Sequence, residues 1–167
     1  MSQQEKKWPL EGVRVLDLGQ IYNGPYAGFL MAHAGADVIK LEPLHGEILR
    51  QRGGGVVPLS FAMLNTNKRG IAINLKDQIG KNILKDLVKK ADVLLENFSP
   101  DAMDRLGLGS DVLTKINPRL IYASGTGYGL SGPDKNNLAM DLTVQAIGGV
   151  MSINGPEDGP PMKTGLA

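Results

Sequence analysis

The chain has 167 residues, 42% of them hydrophobic and 21% charged, a composition that suits one soluble globular domain rather than a disordered segment. Lys and Arg number 18 against 17 Asp and Glu, a net charge of +1, so no global field draws nucleic acid or an anionic membrane, and any bound anion needs a local site. With no cysteine, and only His33 and His45 as imidazoles, a disulfide, a zinc-thiolate site and a cysteine nucleophile are excluded and no metal centre is expected. No apolar run reaches the ~18–20 residues of a membrane span, and Met1–Lys7 is followed by no apolar signal region, which predicts a cytoplasmic protein with no membrane partner.

Residues 1–11 form a polar lead-in. Gly12–Leu18 is rich in aliphatics and closed by Gly19, and predicts a first strand. Pro25 opens a helical stretch that ends at Gly35, and Ala36–Glu42 predicts a second strand, so the three together make a βαβ unit with parallel strands. Pro43 to Leu59 is irregular, with Gly53–Gly55 at its centre, and predicts a surface excursion of the kind that often carries sites. Ser60–Asn65 predicts a short helix and Gly70–Leu75 a third strand. Next, Ile79, Ile83, Leu84, Leu87 and Val88 fall at helical spacing, with the lysines of that stretch on a solvated face. Ala91–Asn97 and Arg119–Ser124 predict strands four and five, separated by short helices near Pro100 and Ser110. Gly125–Asp134 is glycine-rich, Leu138 to Val150 predicts a helix with Asp141 and Gln145 one turn apart, and the tail is turn chemistry. This alternation predicts an α/β fold, an open doubly wound and mainly parallel sheet whose ligands lie beyond the carboxyl ends of its strands.

Several stretches carry candidate chemistry. Gly19, Gly24 and Gly28 follow strand one, but their spacing does not reproduce the G-x-G-x-x-G turn of dinucleotide folds, and turn and packing roles suit them better. Gly125–Gly129 lacks the Gly-Lys-Ser/Thr that completes a P-loop. Asn65–Gly70 places Lys68 beside Arg69 ahead of a strand, which fits either a solvated turn or a phosphate contact. Glu96–Pro100 lies at the carboxyl end of strand four, where such a sheet presents ligand groups, and Arg105 follows. Asp141 sits among apolar neighbours, so it is either a perturbed buried acid or a helix-end polar group.

Taken together, Pro9–Leu18, Gly24–Pro25, Gly35–Pro43, Leu64–Arg69, Glu96–Phe98 and Asn117–Ile121 closely resemble, in order, the amino-terminal part of the class III CoA-transferases, the CaiB/BaiF family. The resemblance implies a Rossmann-like large domain, of which residues 12–167 are the amino-terminal part, with the rest of that domain and the small domain absent. It also implies coenzyme A as substrate and product, an acyl-CoA and a small carboxylic acid as partners, and an interlocked homodimer. In such enzymes an aspartate attacks the thioester and the reaction runs through anhydride and aspartyl-CoA intermediates. The family aspartate follows a Gly-Pro-Pro turn by roughly nine residues, so its counterpart is expected just after Ala167, and the fragment is expected to be inactive and poorly stable alone. By the same resemblance Asp141, Gln20 and Tyr22 line the site, and Lys68, Arg69, Asn97, Phe98 and Arg105 hold the coenzyme. Some members carry an arginine for CoA phosphate where Pro43 stands here. The alternatives are an α-methylacyl-CoA racemase of the same fold, which would need a histidine where Met140 stands, and a non-catalytic CoA-binding fragment.

Overall fold

Alternating side chains decide how this chain buries its strands. A computed structural model describes residues 7–53 and 56–165; residues 1–6 of the lead-in, two glycines of the triple-glycine stretch and the last two residues lie outside that description. Two compact units divide the chain, residues 1–125 and residues 126–167.

The first unit holds β1 (Arg14–Asp17), α1 (Asn23–His33), β2 (Asp37–Glu42), α2 (Ile48–Gln51), α3 (Leu59–Asn65), β3 (Arg69–Ala72), α4 (Gln78–Val88), β4 (Val93–Glu96), α5 (Ala102–Arg105), α6 (Ser110–Ile116) and β5 (Ile121–Ser124). All five strands are parallel, in the order β3-β2-β1-β4-β5. The expected α/β parallel sheet is therefore present, and its order reverses between β1 and β4. Successive residues of a strand face opposite sides. Leu16, Ile39, Leu41 and Leu94 pack with Leu84 and Val88 of α4 and Leu113 of α6. Val15, Val38 and Leu95 pack instead with Ala32 of α1. Both faces of the central strands are thus covered, while β3 and β5 at the edges stay largely exposed.

Differences from the sequence expectation are local. The four-residue α2 inside the predicted excursion is too short to give a periodic signal. In α4 the buried positions are Gly80, Leu84 and Val88, and Ile79 is 72% exposed; it lies in the first turn, where Asp77 caps the helix by accepting from the Ile79 N–H at 2.7 Å.

The second unit is built around α7 (Asp141–Ile147), shorter than the helix expected over Leu138–Val150, followed by a 3-10 turn at Val150–Ile153. Its anchor is Gln145, buried, whose side-chain oxygen accepts from the Thr164 N–H at 2.9 Å and thereby ties the tail to the helix. No helix among the described residues is long and apolar enough to cross a membrane.

Candidate functional site

On the α1 side, β1 and β2 change character along their length: apolar Val15 and Val38 give way to Asp17, Lys40 and Glu42, all buried. Charges are retained inside only when paired or hydrogen-bonded. Lys68 supplies the main partner, its ammonium 2.7 Å from Asp17 Oδ2, with both side chains at most 1% exposed. The same ammonium donates to the Pro25 carbonyl at 2.8 Å and to Asn65 Oδ1 at 3.1 Å. Burial lowers the Lys68 pKa, and the attraction of Asp17 offsets part of that effect.

These charges surround the turn after β1, and side chains hold nearly all of its polar backbone. Asp17 Oδ1 accepts from the Gly19 N–H at 2.8 Å, and the Lys40 ammonium donates to the Gly19 carbonyl. Asn97, just past β4, accepts from the Gln20 N–H at 2.6 Å and donates to the Gln20 carbonyl at 2.9 Å. Glu47 Oε2 accepts from the Ile21 N–H at 3.0 Å. Gly19 and Gly24 are packing glycines, as their spacing predicts: a β-carbon on Gly19 would come 2.6 Å from the Gly24 Cα, so α1 can sit against the turn only without one.

Beyond the carboxyl ends of β3, β2, β1 and β4 lies an open cleft of about 430 Å³. Leu18, Leu41, Ile73, Leu75, Phe98 and Leu106 give it apolar walls, and Gln20, Glu42, His45, Glu47, Asn74 and Lys76 add polar groups. It adjoins the point where strand order reverses, which is where open α/β sheets bind ligands. Glu42, at its floor, holds Arg50 by two hydrogen bonds of 2.9 and 2.8 Å. Burial works to raise the Glu42 pKa, but Arg50 and the Glu47 N–H outweigh it and keep the carboxyl below its usual range.

The eight residues singled out by sequence fall in different places. Gln20 and Asn97 are joined across the reversal of strand order, and Gln20 and Phe98 line the cleft. Tyr22 is half-buried and packs on Leu49, Phe61 and Leu64. Arg105 is exposed at the end of α5, donating to the Pro100 carbonyl at 3.2 Å, next to cleft residue Leu106. Lys68 is not the free cation expected of a phosphate contact, because its ammonium donates to Asp17, the Pro25 carbonyl and Asn65. Arg69 begins β3, at the opposite sheet edge from the cleft, and pairs with Asp37 through contacts of 2.9 and 2.7 Å. Desolvation tends to raise the Asp37 pKa; Arg14 and Arg69 together outweigh it and lower it. Asp141, in the second unit, is exposed at the start of α7 and accepts from the Gln145 amide at 3.0 and 3.1 Å, so the buried, unpaired alternative does not hold.

Lys76, His45 and Glu47 line the cleft without having been singled out. Only strand register could have pointed to Lys76, four residues past β3 and thus on the ligand edge. Among the described residues no three imidazoles or carboxylates converge as metal ligands do.

A doubly wound parallel sheet with an open cleft at its switch point defines the class: an α/β protein of the Rossmann-like kind. The chain matches CoA-transferase family III over residues 10–167, and it belongs to that family. It is 48% identical over 159 residues to a formyl-CoA:oxalate CoA-transferase of Streptomyces coelicolor, across 93% of this chain and 38% of that protein. A succinyl-CoA:glutarate CoA-transferase of Mus musculus is 42% identical over 163 residues, across 95% and 37%. A solved CaiB/BaiF family protein from Brucella suis is similar with a TM-score of 0.91 at 36% identity, over 96% of this chain and 44% of its own. The chain thus spans about two fifths of the length of the curated relatives it matches.

Proposed function

We propose that this chain forms the coenzyme-holding part of an enzyme that moves CoA from an acyl thioester to a small free carboxylic acid. The observation that carries this reading is the cleft at the switch point, where Phe98 offers an aromatic wall and Asn97 clasps the Gln20 turn. Phe98, Lys76 and the exposed Arg105 are assigned to the nucleotide end of CoA, the cations to its phosphates and the ring to its base. Gln20 and Tyr22 are assigned to the acyl end, and the resemblance to the family supports a site-lining role for Asp141. Lys68 serves by neutralising Asp17 beneath the turn, and Arg69 by pairing with Asp37; neither is assigned to the coenzyme.

The proposed chemistry divides one exchange into four acyl transfers. An aspartate carboxylate, proposed to follow Ala167 in the parent polypeptide, attacks the thioester carbonyl; the C–S bond breaks and CoA leaves as thiolate. The thiolate attacks the aspartyl carbonyl of the resulting anhydride, giving aspartyl-CoA and releasing the donor acid as carboxylate. The acceptor carboxylate then attacks aspartyl-CoA and expels the thiolate again. In the last step the thiolate takes the acceptor acyl group, which frees the aspartate. No net proton is consumed, so the chain's task is to hold the thiolate close and keep water away. The parent is further proposed to be a cytoplasmic, interlocked homodimer, and residues 1–167 alone to be inactive; the resemblance to the family supports both readings.

Incubating the complete polypeptide with acyl-CoA donors and isotopically labelled carboxylates tests the proposal. Label entering the CoA thioester pool is the expected result. Exchange of the α-hydrogen of a branched acyl-CoA without label transfer would establish the racemase instead, against which Met140 in the position of the histidine speaks.

A further inference from the structure

Ile21 has a backbone conformation that its side chain opposes. Its φ is 61°, in the left-handed region, where a β-branched residue is strained and persists only if its surroundings hold it. The group that holds it is Glu47, which lies 26 positions along the chain and accepts from the Ile21 N–H at 3.0 Å. Glu47 is only 2% exposed, and its other oxygen, Oε1, is buried without a hydrogen-bond partner in the structure. A buried carboxylate with an unsatisfied oxygen is costly to keep, so fold stability alone does not account for it.

A supporting network holds Glu47 in place. Its backbone N–H donates to Glu42 Oε2 at 3.1 Å, Glu42 is gripped by Arg50, and the Arg50 guanidinium lies 4.0 Å from the centre of the Phe61 ring. The Pro43–Leu59 excursion therefore does more than cross the surface: it delivers one carboxylate to the turn that carries Gln20 and Tyr22.

We propose that Glu47 is a positioning residue, whose carboxylate fixes the strained Ile21 peptide and so sets where Gln20 and Tyr22 meet the bound thioester. This inference rests on the reading above that the turn faces the acyl end of CoA. Glu47 makes no bond to the reacting atoms in this account; it acts through the turn, as misplacement by about 1 Å costs up to ~100-fold in rate.

The test uses the complete polypeptide with Glu47→Gln, Glu47→Ala and Ile21→Gly, with steady-state transfer kinetics, equilibrium binding of free CoA, and hydrogen exchange of the peptide spanning residues 19–22. Glu47→Gln keeps volume and an acceptor, and is expected to lower kcat about fivefold, since a charge-assisted bond is roughly twice as strong as a neutral one. Glu47→Ala should lower kcat by about 30-fold or more, with free CoA affinity within about twofold of wild type and faster exchange at residues 19–22. Adding Ile21→Gly, which removes the strain, should restore part of the kcat lost in Glu47→Ala. If Glu47→Ala does not fold, Glu47→Gln decides the matter. Values of kcat within twofold of wild type, or unchanged exchange at residues 19–22, would overturn the inference. A wild-type protein that neither binds CoA nor transfers it would overturn the parent reading and the thioester role of the turn with it, and the wild-type control separates that failure from the other.

Discussion

Lys68 and Arg69 are adjacent cations with opposite fates, and the difference lies in what each can reach. Lys68 turns inward to Asp17, and removing it leaves a buried carboxylate unpaired. Lys68→Met is therefore expected to destabilise by about 3–5 kcal/mol in denaturant unfolding. Arg69→Ala, which breaks a pair whose side chains are 64% and 35% exposed, should cost less than about 1 kcal/mol. Composition shows two cations but not their direction, because the acid that captures Lys68 is 51 positions away. Glu42 adds a dependence on pH. Its folded pKa lies below the ordinary 4.5, so the unfolded chain binds that proton more readily, and the stabilisation is complete above the ordinary value and lost as pH falls through the folded one. Comparing unfolding at pH 7 and in the acid range should show Glu42→Gln less stable at neutral pH, with the gap closing on acidification.

At the scale of elements, sequence periodicity served well where packing is regular. The existence of the five strands, the βαβ start and the short helices near Pro100 and Ser110 were legible, because each depends on local pattern and punctuation. What stayed hidden had other causes: α2 is four residues long and Ile79 lies in the first turn of α4, while the delivery of Glu47 to Ile21 spans 26 positions. Gly80 gives a case where a local rule and packing disagree. A helix-interior Gly→Ala change ordinarily gains up to about 1 kcal/mol. Here a β-carbon would lie 2.0 Å from the Asn74 carbonyl oxygen, in the turn that leads from β3 into α4. Gly80→Ala is thus expected to destabilise by about 1–3 kcal/mol; a rise in melting temperature would show that the turn yields easily.

For the whole molecule, the parallel sheet explains why the candidate site gathers where it does. Parallel strands bring every carboxyl end to one edge, so residues as far apart in sequence as Gln20, Glu47, Lys76 and Phe98 line one cleft. The start of the glycine-rich stretch at Gly125 also marks where the first compact unit ends. The cleft's lining was only partly legible: Phe98 and Gln20 stood out by motif and resemblance, whereas Lys76 and His45 needed the register of β3 and the path of the excursion. By the proposed function, this edge of the sheet holds coenzyme A. Calorimetric titration of CoA into the complete polypeptide, its Arg105→Ala variant and its Phe98→Ala variant, at low and high salt, tests it most directly. Both substitutions should weaken binding, with the Arg105→Ala penalty shrinking as salt screens the phosphate contact and the Phe98→Ala penalty unchanged. Affinities equal to wild type in both variants would mean that the coenzyme does not bind at this edge.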